Sequence, residues 1–460
     1  MVDDPALILA RHVWNTGFEQ LSKEAVVAAK RDILDTLGAA IAGSGAPGIG
    51  ELTKLARRWG GLEESSLLVL GGKLPAPQAA LINATMGHAL DFDDTFDRAG
   101  HIHPGTSVLA ASLAAAESVG KVSGREFLVA VTLGLDVSCR LALAAPVDRG
   151  WHRTAAFGVF GATVAAGKLV RLSEKELVNA FGIAYSQAAG NRQCIVDGAL
   201  TKRFQAGQAA HAGVLAVALA KEGFTGAKDV FTGQFGFFPM YAPEGYDPTG
   251  IEEDLGTIFR CVELSFKPYP CGRPTHALID AAVALHQELE LAQFPPSWAK
   301  ISVNEAVFQA QFSRAQFSTE GSNRRPASQV EAQFSLPYLI STALCLGNVG
   351  IGDVTVMDNP QVLALSDSME GESQAGVSAG RGSVEVGRAD GRSSMREATT
   401  PSGAPDKPLT NSQLEAKFRD CATHAATNIS EREVGRALDF VNGLDKEEDA
   451  TKLIELVRGD

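Results

Sequence analysis

Close cysteine pairs, long apolar runs and a surplus of positive charge are all missing from this sequence. The six cysteines stand at 139, 194, 261, 271, 345 and 421, and no two have the C-x-x-C spacing of a zinc or redox site. They are expected to be reduced thiols acting as small core residues. The longest apolar stretches, Val108 to Ala116 and Phe127 to Leu135, fall well short of the roughly 18 residues a membrane span needs. The first ten residues, MVDDPALILA, carry acidic groups where an export signal requires basic ones. A soluble, cytoplasmic protein with no membrane partner is expected. Lys and Arg number 41 against 54 Asp and Glu, a formal net charge of −13. That argues against a nucleic-acid partner, which needs a basic face. It leaves room for an anionic ligand, because a pocket can be locally cationic inside an acidic protein. Aromatics are only 7%, poor for a carbocation pocket.

What is present in quantity is Ala, Leu, Val and Gly at helical spacing. Val26, Ala29, Ile33, Leu37 and Ile41 share one face and predict a helix that stops near Gly43. Pro75 to Leu90 predicts another. Four helix starts carry a capping box: Ser123 with Glu126, Ser173 with Glu176, Thr410 with Gln413, and Ser430 with Glu433. Each is bracketed by an apolar staple, such as Val122 with Phe127 and Leu409 with Leu414. The texture changes after Cys261. Lys300 to Val307 alternates and reads as a strand, Leu336 to Leu346 as a helix, and Gly382 to Arg388 as a strand before an Asp390-Gly391 turn. Residues 366–405, rich in Gly, Ser and Arg, read as exposed hairpins. Helical patterning returns at Asn411. The predicted fold is therefore mainly α. A large all-α domain is built from 1–264 and 406–460, with a smaller α+β domain inserted over 265–405.

Chemistry is concentrated in four segments. Between His88 and His103 lie three histidines and four aspartates. Unpaired carboxylates at that density repel one another, so the segment needs an explanation. It could be a metal site using Asp91, Asp93, Asp94, His101 and His103. It could be the Mg²⁺-diphosphate motif DDxxD, matched by Asp93, Asp94 and Asp97, although no second metal motif follows. It could be a metal-free acid–base site in which carboxylates orient histidines, or simply a solvated acidic loop. The second segment, Trp151-His152-Arg153-Thr154, precedes a small-residue helix whose start favours anions. A lone histidine there is more often structural. The third runs from Asn191-Arg192 to Thr201-Lys202-Arg203-Phe204. Cations at a helix start oppose its dipole, and either serve a bound anion or face solvent. The fourth, Lys267 to His276 (KPYPCGRPTH), is a rigid cationic loop before a helix predicted over Thr275 to Leu291. It suits a substrate-binding element at a domain junction, with His276 structural.

Taken in order, these pieces resemble the MmgE/PrpD family. The matching pieces are DFDD with HPG at 91–105, GWH at 150–152, TKRFQAGQAAHAGVLAVALAKEGFTG at 201–226 and FKPYPCGRPTH at 266–276. FSLPY at 334–338, and PSGAPDKPLT with LEAKF at 401–418, complete the set. The resemblance covers nearly the whole chain. It implies a helical domain with a smaller α+β lid, a homodimer, no metal and no organic cofactor. It also implies proton-transfer chemistry on a small di- or tricarboxylate: 2-methylcitrate dehydration, cis-aconitate decarboxylation or iminodisuccinate epimerisation. Dehydration is the leading expectation, although the HIHPG form departs from the dehydratase branch. By matching motifs, Asp93, His103, His152, Lys202, Lys267 and Tyr338 would line the pocket.

Arg192 and Arg273 are added as substrate-binding candidates on charge and position alone. A carbon acid beside a carboxylate loses its proton only when the developing charge is stabilised, and two lysines and a protonated histidine could do that. His103 is expected to be the main acid–base group, oriented by Asp93, with His152 as a second proton carrier. Tyr338 is expected to protonate a leaving hydroxyl or hold a carboxylate, and Lys267 to bind substrate. The rival readings are a metal-dependent enzyme built on the aspartates and a non-catalytic helical scaffold.

Overall fold

The computed structural model describes residues 3–146, 149–313, 323–378 and 380–458. The fold is mainly α, as the periodicity predicts. Its buried apolar residues fall into two main clusters. One gathers side chains from Ala6 to Phe266 and again from Leu409 to Val457. The other runs from Tyr269 to Ala398. Both ends of the chain thus build one helical body, and the middle builds a smaller α+β body. Among the described residues no helix is long and apolar enough to cross a membrane.

Local rules set most helix boundaries. The Lys23–Gly43 helix starts at Ser22, whose hydroxyl accepts the Ala25 amide, and ends at the predicted glycine. All four capping boxes form, at Ser123, Ser173, Thr410 and Ser430. The helix predicted from Pro75 spans Ala76–Gly87 and stops before the His/Asp segment. The long helix Thr201–Lys221 packs on the Ala76–Gly87 and Arg153–Leu169 helices. Small residues allow these axes to approach closely. At Gly207 a Cβ would lie 2.1 Å from Thr85 Oγ1 and 2.5 Å from the Leu81 carbonyl oxygen.

The smaller body holds a four-stranded sheet in the order Glu370–Ser373, Pro296–Val303, Gly382–Arg388, Ser393–Ala398. The first pair is parallel and the others antiparallel. The helices His276–Glu288 and Leu336–Leu346 belong to the same body. Two expectations need correction. The strand predicted over Lys300 to Val307 begins earlier and ends at Val303, because the Asn304 side chain accepts the Val307 amide and caps a helical turn. The segment read as exposed hairpins does form the predicted Gly382–Arg388 strand and its hairpin through Asp390-Gly391, but it is not all exposed, because Val384 and Val386 are fully buried.

Gly207→Ala tests how tightly the helical body is packed. We expect a loss of about 1–3 kcal/mol in urea unfolding, because helices that cannot part must strain. Unchanged stability would show that the crossing has room to spare.

Candidate active site

The His/Asp segment is fixed at three points. His88 ends the Ala76–Gly87 helix. Thr95 and Ser265 exchange both backbone hydrogen bonds, at 2.9 and 2.8 Å. The Phe96 amide donates to the Ile102 carbonyl at 2.8 Å, closing a turn that passes through left-handed His101. Pro104 then occupies the first turn of the Pro104–Val119 helix, where its missing N–H costs nothing. The Thr95–Ser265 pairing brings Lys267 alongside Asp91.

Asp91, itself left-handed, is the electrostatic centre. Its Oδ1 receives Lys267 Nζ at 2.7 Å and lies 3.0 Å from Lys202 Nζ. Lys267 also donates to the Asp91 carbonyl at 2.8 Å. All three side chains are buried. Burial raises the Asp91 carboxyl, but Lys202, Lys267 and His103 outweigh it and hold the group well below the usual carboxylate range. Burial in turn lowers Lys202.

Around this centre stand three imidazoles. The His88 ring lies 4.9 Å from that of His103 and 5.5 Å from that of His152. His88 Nδ1 donates to Asp93 Oδ2 at 2.7 Å, and the same oxygen accepts the Thr106 hydroxyl at 2.8 Å. Burial raises Asp93, but His88 and His103 pull it well below its ordinary value. His103 Nδ1 lies 2.6 Å from the Asp94 carbonyl. A carbonyl only accepts, so Nδ1 carries the proton and Nε2 keeps its lone pair. That Nε2 lies 3.7 Å from Asp91 Oδ1. Burial, then Lys267, pushes His103 down to about 3. Burial also lowers His88 and His152. His152 caps the Arg153–Leu169 helix, and its Nδ1 has no partner among the described residues. Gly190, where an added Cβ would lie 3.2 Å from His152 Cβ, lines a cavity of about 340 Å³ together with Ala155, Asn191, Thr201, Gln205 and Gln208. The cluster therefore sets two lysines against two carboxylates held in their charged form, with three imidazoles whose charged form burial disfavours.

The structure brings Asp93, His103, His152, Lys202 and Lys267 together, and leaves three candidates elsewhere. The Tyr338 hydroxyl donates to the Asp353 carbonyl at 2.6 Å. The Arg273 guanidinium clasps Asp97 at 3.0 to 3.3 Å and donates to the Ser402 carbonyl at 2.9 Å, joining the two bodies. Arg192 is exposed, at the start of the short Gln193–Val196 helix. Asp93 also holds a different histidine from the one expected: it is bonded to His88, while its Oδ1 stays 3.7 Å from His103 Nδ1. His88 has no place in the sequence-based site, and Asp91 enters the sequence reading only as a possible metal ligand and not as part of the acid–base set. Two buried lysines require a buried anion, and that requirement was the available signal for Asp91.

The DDxxD reading does not survive the geometry. Asp93 faces His88, Asp94 accepts the Gly105 amide, and Asp97 pairs with Arg273. A different set, His88, Asp91, Asp93 and His103, places four possible ligand atoms within 4.8 Å of one another. Two ammonium groups already sit on Asp91 Oδ1, so a divalent ion there would meet like charge at contact distance. The arrangement suits a small anion and a proton better than a cation.

These buried imidazoles, lysines and aspartates sit in a two-body, mainly helical fold. The MmgE/PrpD N-terminal domain matches residues 8–248 and the MmgE/PrpD C-terminal domain residues 269–439, and the chain belongs to that family. The second match runs past the α+β body into the returning helices. Among curated relatives, the human cis-aconitate decarboxylase is 28% identical over 95% of this chain and 91% of its own length. That of Aspergillus terreus is 26% identical over 96% and 94%. A cis-aconitate decarboxylase-like protein of Aspergillus oryzae is 26% identical over 94% and 92%.

The neutral histidines give a stability signature. Each of His88, His103 and His152 has a folded pKa below its unfolded value near ~6.5, so the unfolded chain binds the protons the folded one refuses. Their contribution is present above that pH and is lost as the pH falls, by about 1.4 kcal/mol per pH unit for each group. Urea unfolding between pH 7.5 and 5.5 should show this fall, and His152→Asn should make it shallower by about one proton. A variant as steep as the parent would mean that His152 is not held neutral.

Proposed function

We propose that this chain is a cofactor-independent lyase that moves a proton on a small polycarboxylate, and that its reaction is loss of CO₂ from an unsaturated tricarboxylate of the cis-aconitate type. One observation carries the reading: a histidine with its tautomer fixed presents Nε2 beside two buried ammonium groups. The relatives' names support the choice of reaction. So does the place of Tyr338, whose hydroxyl serves Asp353 rather than the cluster. Dehydration, the leading expectation from sequence, thereby loses the group proposed to protonate a departing hydroxyl.

In this reading Lys202 and Lys267 exchange part of their hold on Asp91 for substrate carboxylates. One C–C bond breaks and CO₂ departs. Its electron pair moves through the neighbouring double bond towards a conjugated carboxylate, where the ammonium groups stabilise the charge. His103 Nε2–H then protonates the far carbon. Neutral in the empty site, His103 acquires that proton when the polyanion arrives. His88, anchored by Asp93, buttresses the His103 ring. His152 is the second proton carrier. Arg273 and Arg192 take no part in the chemistry.

The test is NMR in D₂O with a panel of unsaturated, 2-hydroxy and succinate-like acids. We expect CO₂ release from the unsaturated tricarboxylate with one deuterium in the product. His103→Ala should lose about a hundredfold or more. Water loss from a 2-hydroxy acid without CO₂ would replace this reading with a hydro-lyase. A His103→Ala variant as fast as the parent would remove His103 from the mechanism.

A further inference from the structure

Directly beneath the imidazole cluster lies a second group of acids that the mechanism above does not use. Asp32, Asp35 and Thr36 project from the Lys23–Gly43 helix and are buried, as is Asp94 on the catalytic loop. Asp35 has a cation: Lys417 Nζ sits 2.7 Å from its Oδ1, donates to the Phe92 carbonyl at 2.6 Å and lies 3.9 Å from the Phe92 ring centre. Lys417 is thus engaged, and among the described residues neither Asp32 nor Asp94 forms an ion pair with a cation. Both nonetheless crowd one point. A Cβ placed on Gly105 would lie 2.7 Å from Asp32 Oδ1, 2.7 Å from Asp94 Oδ1 and 2.5 Å from Thr36 Oγ1. Neither Asp32 oxygen nor Thr36 Oγ1 has another partner among the described residues.

Two bare carboxylates cannot share such a space in a dry interior. One proton between them removes the repulsion and supplies the missing hydrogen bond. The contacts say which side holds it. Asp94 accepts the Gly105 amide with both oxygens, at 3.1 and 3.2 Å, at the start of the Pro104–Val119 helix, where the helix dipole favours an anion. Apart from Asp94 itself, Asp32 receives no donor among the described residues, so we take it as the acid and Asp94 as the acceptor.

Asp94 also grips the loop on both sides of His103. Its carbonyl holds the His103 ring at Nδ1, and its carboxylate holds the amide two residues further on. We propose that Asp32 and Asp94 share one proton and together form the positioning element of His103, fixing its Nδ1–H tautomer and aiming Nε2 at the substrate. The role in turnover rests on the lyase reading; the shared proton does not. The charged and titratable groups acting on the pair are Asp35 on the same helix and Asp93 on the loop, with Lys417 of the Asn411–Thr423 helix paired to Asp35 and the Cys139 thiol of the Gly124–Leu143 helix facing Asp94. Lys267 acts on Asp35, and the buried Cys261 thiol feels Asp32. Burial and the mutual repulsion of these acids raise both carboxyls of the pair well above the usual range.

Asp32→Asn keeps a donor to Asp94 but cannot ionise, whereas Asp32→Ala removes the donor. The folded pair keeps a proton that the unfolded carboxyls release near pH ~4. Wild-type stability relative to Asp32→Asn must therefore fall as pH rises above that value. We expect the gap in unfolding free energy to widen in favour of Asp32→Asn from pH 5 to pH 9. A gap independent of pH would overturn the shared proton. For positioning, the readout is the ¹⁵N spectrum of His103. Wild type and Asp32→Asn should show the Nδ1–H tautomer, and Asp32→Ala should not. If Asp32→Ala does not fold, Asp32→Ser, with a shorter donor, should show a mixture. With a turned-over acid in hand, Asp32→Ala should lower kcat by roughly a hundredfold with KM little changed, and Asp32→Asn should restore it. An Asp32→Ala protein with the wild-type tautomer would overturn the positioning role. The unfolding and ¹⁵N results decide the proposal even if no tested acid is turned over.

Discussion

One buried carboxylate, Asp91, organises this protein. It sits at a left-handed turn past the end of a helix, and two ammonium groups from remote stretches of chain converge on a single oxygen. Lys202 arrives on the long Thr201–Lys221 helix, and Lys267 from the segment that leads into the α+β body. Neither lysine could be buried without the aspartate, and the aspartate could not be buried without them. The contact therefore ties together the polypeptide segments that must meet for a site to exist. It also sets the state of the histidines: with charge already balanced, burial leaves all three imidazoles neutral.

In the proposed reading, a site balanced in this way takes up a proton from solvent together with its anion. Substrate carboxylates would add negative charge next to His103, and the imidazole answers by protonating. The acid the chemistry needs is then made by binding rather than stored beforehand. Below it, the Asp32–Asp94 pair offers a rigid, already protonated floor. Asp94 links the two layers, with its carbonyl towards the histidine and its carboxylate towards the buried acid.

Much of this was legible in the sequence, and the line between legible and hidden is physical. Capping boxes, the Gly43 stop and the Leu336–Leu346 helix follow from residues within a few positions of each other. The density of His and Asp between 88 and 103 marked the site, because so many carboxylates need partners. Which carboxylate takes which partner was hidden. Asp93 pairs with His88 because the loop folds back through the Thr95–Ser265 bridge, a contact between distant positions. For the same reason DDxxD matched in letters while its three carboxylates face three ways. Arg273 and Tyr338 had the right chemistry, but Asp97 and Asp353 claim them. The Asp32–Asp94 contact joins two ordinary-looking acids from separate elements, and nothing in either stretch announces it.

The central claim is that an incoming polyanion protonates His103, which burial and then Lys267 hold neutral in the empty site. Calorimetry of a non-reacting tricarboxylate near pH 7.5, repeated in buffers of different ionisation enthalpy, measures it directly. The account predicts net proton uptake on binding, lost in His103→Ala. Binding with no buffer dependence, or with proton release, would contradict it.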